Sequence, residues 1–153
     1  MPKKKTIPAG TFLRLSLPDG TFGYARVLEP PYTAFYRYQT NDPDADLDRI
    51  SSHPVAFIVT VNASAEATWE VIGHRDLEPD LEKPVVFFRQ DEASYRNCTI
   101  YDSVGNTRRA TPEECEGLER SAAWEDGAVK QRLVDMFAGR TNATVERLKP
   151  RLS

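Results

Sequence analysis

The sequence has few of the residues from which recognisable active sites are built. Its two cysteines, Cys98 and Cys115, and two histidines, His53 and His74, are dispersed through 153 residues. They do not form the local pairs that mark a zinc site. No glycine-rich loop joins a strand to a helix to cradle phosphate, because Gly20 and Gly23 fall inside a hairpin pattern. Long apolar runs are absent too, so nothing approaches the roughly 20 residues needed to cross a bilayer. The segment after Lys3, Lys4 and Lys5 lacks the apolar core of a signal peptide. A cytoplasmic location is therefore expected, with both thiols reduced and no disulfide. Basic charge is also in deficit: 20 Lys and Arg against 23 Asp and Glu give a formal charge of -3. That balance counts against a nucleic-acid binder, which needs a basic face to displace phosphate counterions.

What is present is an ordinary globular composition, 40% hydrophobic and 28% charged. Thr11–Leu17 and Thr21–Leu28, joined by Pro18-Asp19-Gly20, predict an antiparallel hairpin. Thr33, Phe35, Tyr36 and Tyr38 predict a third strand, and the apolar run Val55–Val61 predicts a strand buried on both faces. Ala67–Ile72, carrying Trp69 and Val71 and ended by Gly73, reads as another strand. Val85–Phe88, Thr99–Tyr101 and Thr107–Ala110 read as short strands, the last two linked by a turn at Ser103–Asn106. The pattern then becomes helical. Thr111-Pro112-Glu113-Glu114 forms a capping-box signature, Val129, Leu133, Met136 and Phe137 recur at helical spacing within Trp124–Ala138, and Gly139 suits the C-terminal cap. A further short helix is expected over Thr141–Leu148. The expected architecture is α+β: a β-rich antiparallel sheet or partly open barrel with C-terminal helices packed against it. Residues 1–10 are expected to form a flexible basic N-terminus and residues 11–149 a single domain.

Three groups of residues invite a functional reading. Asp42, Asp44, Asp46 and Asp48 alternate as do the first ligands of a calcium loop. The remainder of that motif is missing: Leu47 stands where the turning glycine belongs, and His53 where the bidentate glutamate belongs. The set therefore reads as a solvated acidic loop, or as a surface for a cationic partner. Asp76, Glu78, Asp80 and Glu82 repeat the alternation. Glu119 is the carboxylate around which a small hydrolase would be built, and pairing with an arginine is the competing expectation. The aromatic set Tyr24, Tyr32, Phe35, Tyr36 and Tyr38 either fills the core or, if exposed, lines the groove of a peptide- or ligand-binding regulatory module.

A sequence of short segments resembles the immunity protein 26 family of bacterial polymorphic-toxin systems. Gly20-Thr21-Phe22-Gly23-Tyr24-Ala25-Arg26-Val27 comes first, then Pro54–Val61, Trp69-Glu70-Val71-Ile72-Gly73, Val86-Phe87-Phe88-Arg89-Gln90 and Ile100-Tyr101-Asp102. Thr111–Cys115, Gly117-Leu118-Glu119-Arg120 and Trp124 complete the order, which extends over Gly10–Arg140. The resemblance implies a cytoplasmic antidote that binds a cognate protein toxin stoichiometrically, with no cofactor and no catalysis of its own. It leaves open whether Trp69, Gly73, Leu118, Glu119 and Trp124 are scaffold or interface. The two acidic segments are the partner-binding expectation, suited to a nuclease toxin with a basic cleft.

Overall fold

The computed structural model describes residues 7–153, so Lys3, Lys4 and Lys5 lie outside the described residues. Among the described residues, ten strands form two mixed sheets that do not close into a barrel. The first hairpin is β1, Thr11–Ser16, with β2, Phe22–Val27, and β3 follows over Tyr32–Thr40. A one-turn helix, α1, spans Leu47–Ser51 before β4, Val55–Val61. A second short helix, α2, covers Ala63–Glu66, and β5 runs Glu70–His74. The second sheet contains β6, Val86–Gln90, β7, Cys98–Asp102, and β8, Thr107–Ala110. Two minimal strands follow, β9 at Glu119–Arg120 and β10 at Ala123–Trp124. Helices α3, Asp126–Phe137, and α4, Ala143–Leu148, end the fold.

The order of the larger sheet is β10-β4-β3-β2-β1-β5, and that of the smaller is β8-β7-β6-β9. Both contain one parallel pair, because Glu119–Arg120 joins β6 and, only two residues later, Ala123–Trp124 joins β4. This crossing links the sheets. Tyr32 stacked on Phe87, with ring centroids 5.0 Å apart, links them a second time.

Alternation along the strands gives the larger sheet two different apolar faces. Leu13, Leu15, Ala25, Val27, Phe35 and Val59 form the main core with Val129 and Leu133 of α3. On the reverse face Phe12, Tyr24 and Tyr36 cluster with Ile50 of α1. Tyr24 and Tyr36 are therefore core residues, and Tyr32 and Tyr38 are half-buried, so no open aromatic groove runs along β2 and β3. The smaller sheet buries Phe88, Cys98, Ile100 and Ala110 beneath Cys115, with Leu118 packed beside them.

Some expectations change. Val55–Val61 is a strand, but only Phe57, Val59 and Val61 are buried, whereas Ala56, Ile58 and Thr60 are half-buried. A run of apolar residues conceals this alternation because both faces accept them. Trp69 precedes β5 rather than belonging to it: its ring lies edge-on to Phe35, and its Nε1–H donates to Asp126 at 2.6 Å. Gly73 lies inside β5, where a Cβ would meet Leu47 Cδ1 at 2.7 Å, so its lack of a side chain admits α1. Trp124 belongs to β10, and the helix starts at Asp126. The capping box forms as expected, with reciprocal Thr111 and Glu114 hydrogen bonds, but it caps only the 3-10 turn Glu113–Cys115.

Candidate partner-binding surface

The acidic loop is held on the reverse face of the larger sheet by the burial of Ile50. Its four aspartates have different environments. Asp44 is turned inward, its side chain 12% exposed, and accepts from Tyr38 Oη at 2.7 Å, Asp46 N–H at 3.0 Å and Arg49 at 3.2 Å. Its backbone is held as well, because Asp44 N–H donates to Tyr24 Oη at 2.9 Å and its carbonyl accepts from Arg14 at 2.7 Å. Burial opposes ionisation of Asp44, but these donors outweigh it and hold the carboxyl below its ordinary value. Asp46 caps α1 by accepting from Arg49 N–H. Asp42 and Asp48 are exposed, and Asp48 lies 2.9 Å from Arg75.

That ion pair brings the two acidic segments together. Arg75 follows β5, and Asp76 begins the second segment immediately afterwards. Leu47 packing onto Gly73 makes the same junction through apolar contact. Asp76, Asp80 and Glu82 are exposed on this segment, with Asp80 paired to Lys83 at 3.2 Å. Glu78 points inward to Arg26.

Arg26 was not singled out for any role by the sequence, yet it organises this edge. The side chain is wholly buried on β2. It donates to the Gly10 carbonyl at 2.8 Å, Tyr36 Oη at 3.3 Å, Glu78 Oε2 at 2.9 Å, and the carbonyls of Arg75 and Asp76 at 2.7 and 3.0 Å. Phe12 lies beneath the guanidinium, 4.0 Å away. A buried charge persists only when paired and hydrogen-bonded, and this one holds the start of the second acidic segment in place. Its signal was present in the sequence as an arginine in a strand of otherwise buried type.

Glu119 lies elsewhere, engaged by Arg132 through two hydrogen bonds of 2.8 and 2.9 Å. Arg132 is sandwiched against Phe57 and Trp124, at 3.7 and 5.0 Å from their rings. Glu119 is thereby a fastening between β9 and α3. Cys98 and Cys115 are both buried, and burial first, then the neighbouring Cys98, pushes the Cys115 thiol up to about 11. Neither resembles an activated nucleophile. Among the described residues, no three His, Cys, Asp or Glu side chains converge as a metal site, and no helix is long and apolar enough to cross a membrane.

The fold and surface are those of a small α+β protein with an acidic edge on a rigid sheet. The chain belongs to the immunity protein 26 family, whose model matches residues 8–99. The match covers both acidic segments, β1 to β6 and the start of β7, while Thr111–Cys115, Gly117–Arg120 and Trp124 lie beyond it. No curated protein and no solved structure matches the chain.

Proposed function

We propose that this chain neutralises a cognate bacterial toxin by binding it one to one in the cytoplasm, without catalysis. The observation that carries this reading is the joining of Asp42–Asp48 to Asp76–Glu82 by the Asp48–Arg75 pair, in a member of an immunity family. Exposed acids gathered on one edge accelerate encounter with a basic surface, such as the substrate cleft of a nuclease. Asp42, Asp46, Asp48, Asp76, Asp80 and Glu82 are the contacting residues in this proposal, while Asp44 and Glu78 hold the surface in shape. The existing Asp80–Lys83 and Asp48–Arg75 pairs are solvent-exposed and of little energetic worth, so a partner can exchange them.

Co-expression with the product of the neighbouring gene tests the reading. Rescue of growth, together with a co-purifying equimolar complex, supports it. Persistent toxicity in the presence of folded, abundant chain counts against it.

A further inference from the structure

Between the two sheets, where the second acidic segment passes, lies a groove of about 570 Å³. Leu28, Tyr32, Leu77 and Leu81 supply the apolar part of its lining, together with Val104 on the β7–β8 turn, which is 67% exposed. The walls are fixed from inside. Tyr32 is stacked on Phe87, Arg26 grips the carbonyls of Arg75 and Asp76, and Leu81 N–H donates to the Glu78 carbonyl at 2.8 Å. A preformed groove of this size spares the chain the cost of ordering its own side chains when an occupant enters.

The charge around the groove is one-sided. Glu29, Asp76 and Glu82 line it, and none is ion-paired among the described residues. Its one ammonium among the described residues, Lys83, is already beside Asp80. We infer that this groove is the anchor site of the interface and that its occupant is a lysine or arginine side chain from the partner. The inference rests on the toxin-binding reading and adds the chemistry of its central contact. A long cationic side chain lays an aliphatic stem on the apolar part of the lining and carries its charge to the carboxylates. An acidic side chain would be repelled there, and a wholly apolar one would leave the three carboxylates uncompensated. The exposed acids of both segments then set the rate of encounter, and occupancy of the groove adds slow dissociation.

Two measurements test this assignment. The first uses N-acetyl-arginine amide as the probe, with N-acetyl-norleucine amide as the uncharged counterpart, each titrated into the full chain and followed by NMR. The expected result is a saturable shift of Tyr32, Leu81 and Val104 with the arginine probe, at least about tenfold weaker with norleucine and with the Glu29→Gln, Asp76→Asn, Glu82→Gln variant. Equal binding of both probes, shifts confined to Asp42–Asp48, or no saturable shift would overturn it. The second measures the toxin complex, in which the triple variant and Val104→Arg should each dissociate about tenfold faster, beyond the slowing of association that a change of exposed charge brings. Unchanged dissociation from a toxin that the wild-type chain binds removes the groove from the interface. Failure of the wild-type chain to bind the toxin defeats the toxin reading, and the NMR arm still decides the groove. All four substituted side chains are exposed, so circular dichroism and melting should match the wild type.

Discussion

Arg26 and Glu78 form an ion pair that is closed at one end and open at the other. The guanidinium is wholly buried, the carboxylate 41% exposed, and they meet at 2.9 Å. The buried cation thereby connects the interior of the larger sheet to the acidic edge. Its five donor contacts also place the backbone from Arg75 to Asp76, which is where the proposed interface begins.

Arg26→Ala should therefore unfold the edge as well as weaken the core. Removing the guanidinium takes the donor from the Gly10, Arg75 and Asp76 carbonyls and empties the space above Phe12, a loss of about 2 to 5 kcal/mol. Glu78→Gln keeps a hydrogen-bond acceptor but leaves the buried guanidinium without its countercharge, and should cost about 1 to 3 kcal/mol, less than Arg26→Ala because the four neutral acceptors remain. Urea denaturation of the two variants checks the contrast, and equal losses would contradict it.

Glu119→Gln should cost about 1 to 2 kcal/mol, because it weakens a two-bond contact to a partly buried arginine. It should leave toxin binding unchanged. Arg132→Ala should cost more, since it also removes packing on Phe57 and Trp124. Thermal melts, with toxin affinity measured beside them, separate a fastening from an interface residue.

Acid should destabilise the fold through carboxyls held below their ordinary values. Burial works against ionisation of Asp44 but is outweighed by its donors, and Asp135 is held low by Asn142 first, with Gln131 and Arg140 adding to it. In each case the native state binds fewer protons than the unfolded chain around the ordinary carboxylate range. Their stabilisation is complete above that range and is lost as pH falls through the depressed native values. Melting temperature measured from pH 7 to 2 should fall less steeply for Asp44→Asn than for the wild type.

Glu66 has the opposite sign. Burial raises its carboxyl, only partly offset by the Thr33 hydroxyl that donates to it. The native state holds this proton more tightly, so stability declines as pH rises from the ordinary glutamate value through the raised one. Glu66→Gln should raise the melting temperature at pH 8 relative to the wild type and confer less advantage at pH 4. Calorimetry at the two pH values decides it.

Much of the architecture was legible because it is local. Pro18-Asp19-Gly20 and Ser103–Asn106 dictate their turns, and the spacing of Val129 and Leu133 dictates the buried face of α3. The parallel pairs at Glu119–Arg120 and Ala123–Trp124 were not legible, because two-residue strands leave no periodicity and depend on distant partners. The acidic surface was visible as composition only. Its division into exposed Asp42 and Asp48, capping Asp46 and inward Asp44 depends on Tyr24, Tyr38 and Arg14, which reach the loop from three different strands. The role of Arg26 was hidden for the same reason.

Replacing Asp42, Asp46 and Asp48 with asparagine should slow association with a basic toxin and flatten its dependence on ionic strength. Folding should survive, because asparagine is a good helix cap at position 46 and the other two positions are exposed. Adding Asp44→Asn should lower stability further, since that carboxylate is the inward anchor of the loop. Stopped-flow association across a salt series checks the first expectation and urea denaturation the second.

The most direct measurement is isothermal titration of the purified chain into the product of the neighbouring gene, with the toxic activity of that product assayed in the same samples. Neutralisation by binding predicts one chain bound per toxin and activity that falls in proportion to the fraction bound. Loss of activity at a small fraction of equimolar chain, or no heat and no loss at all, would contradict it.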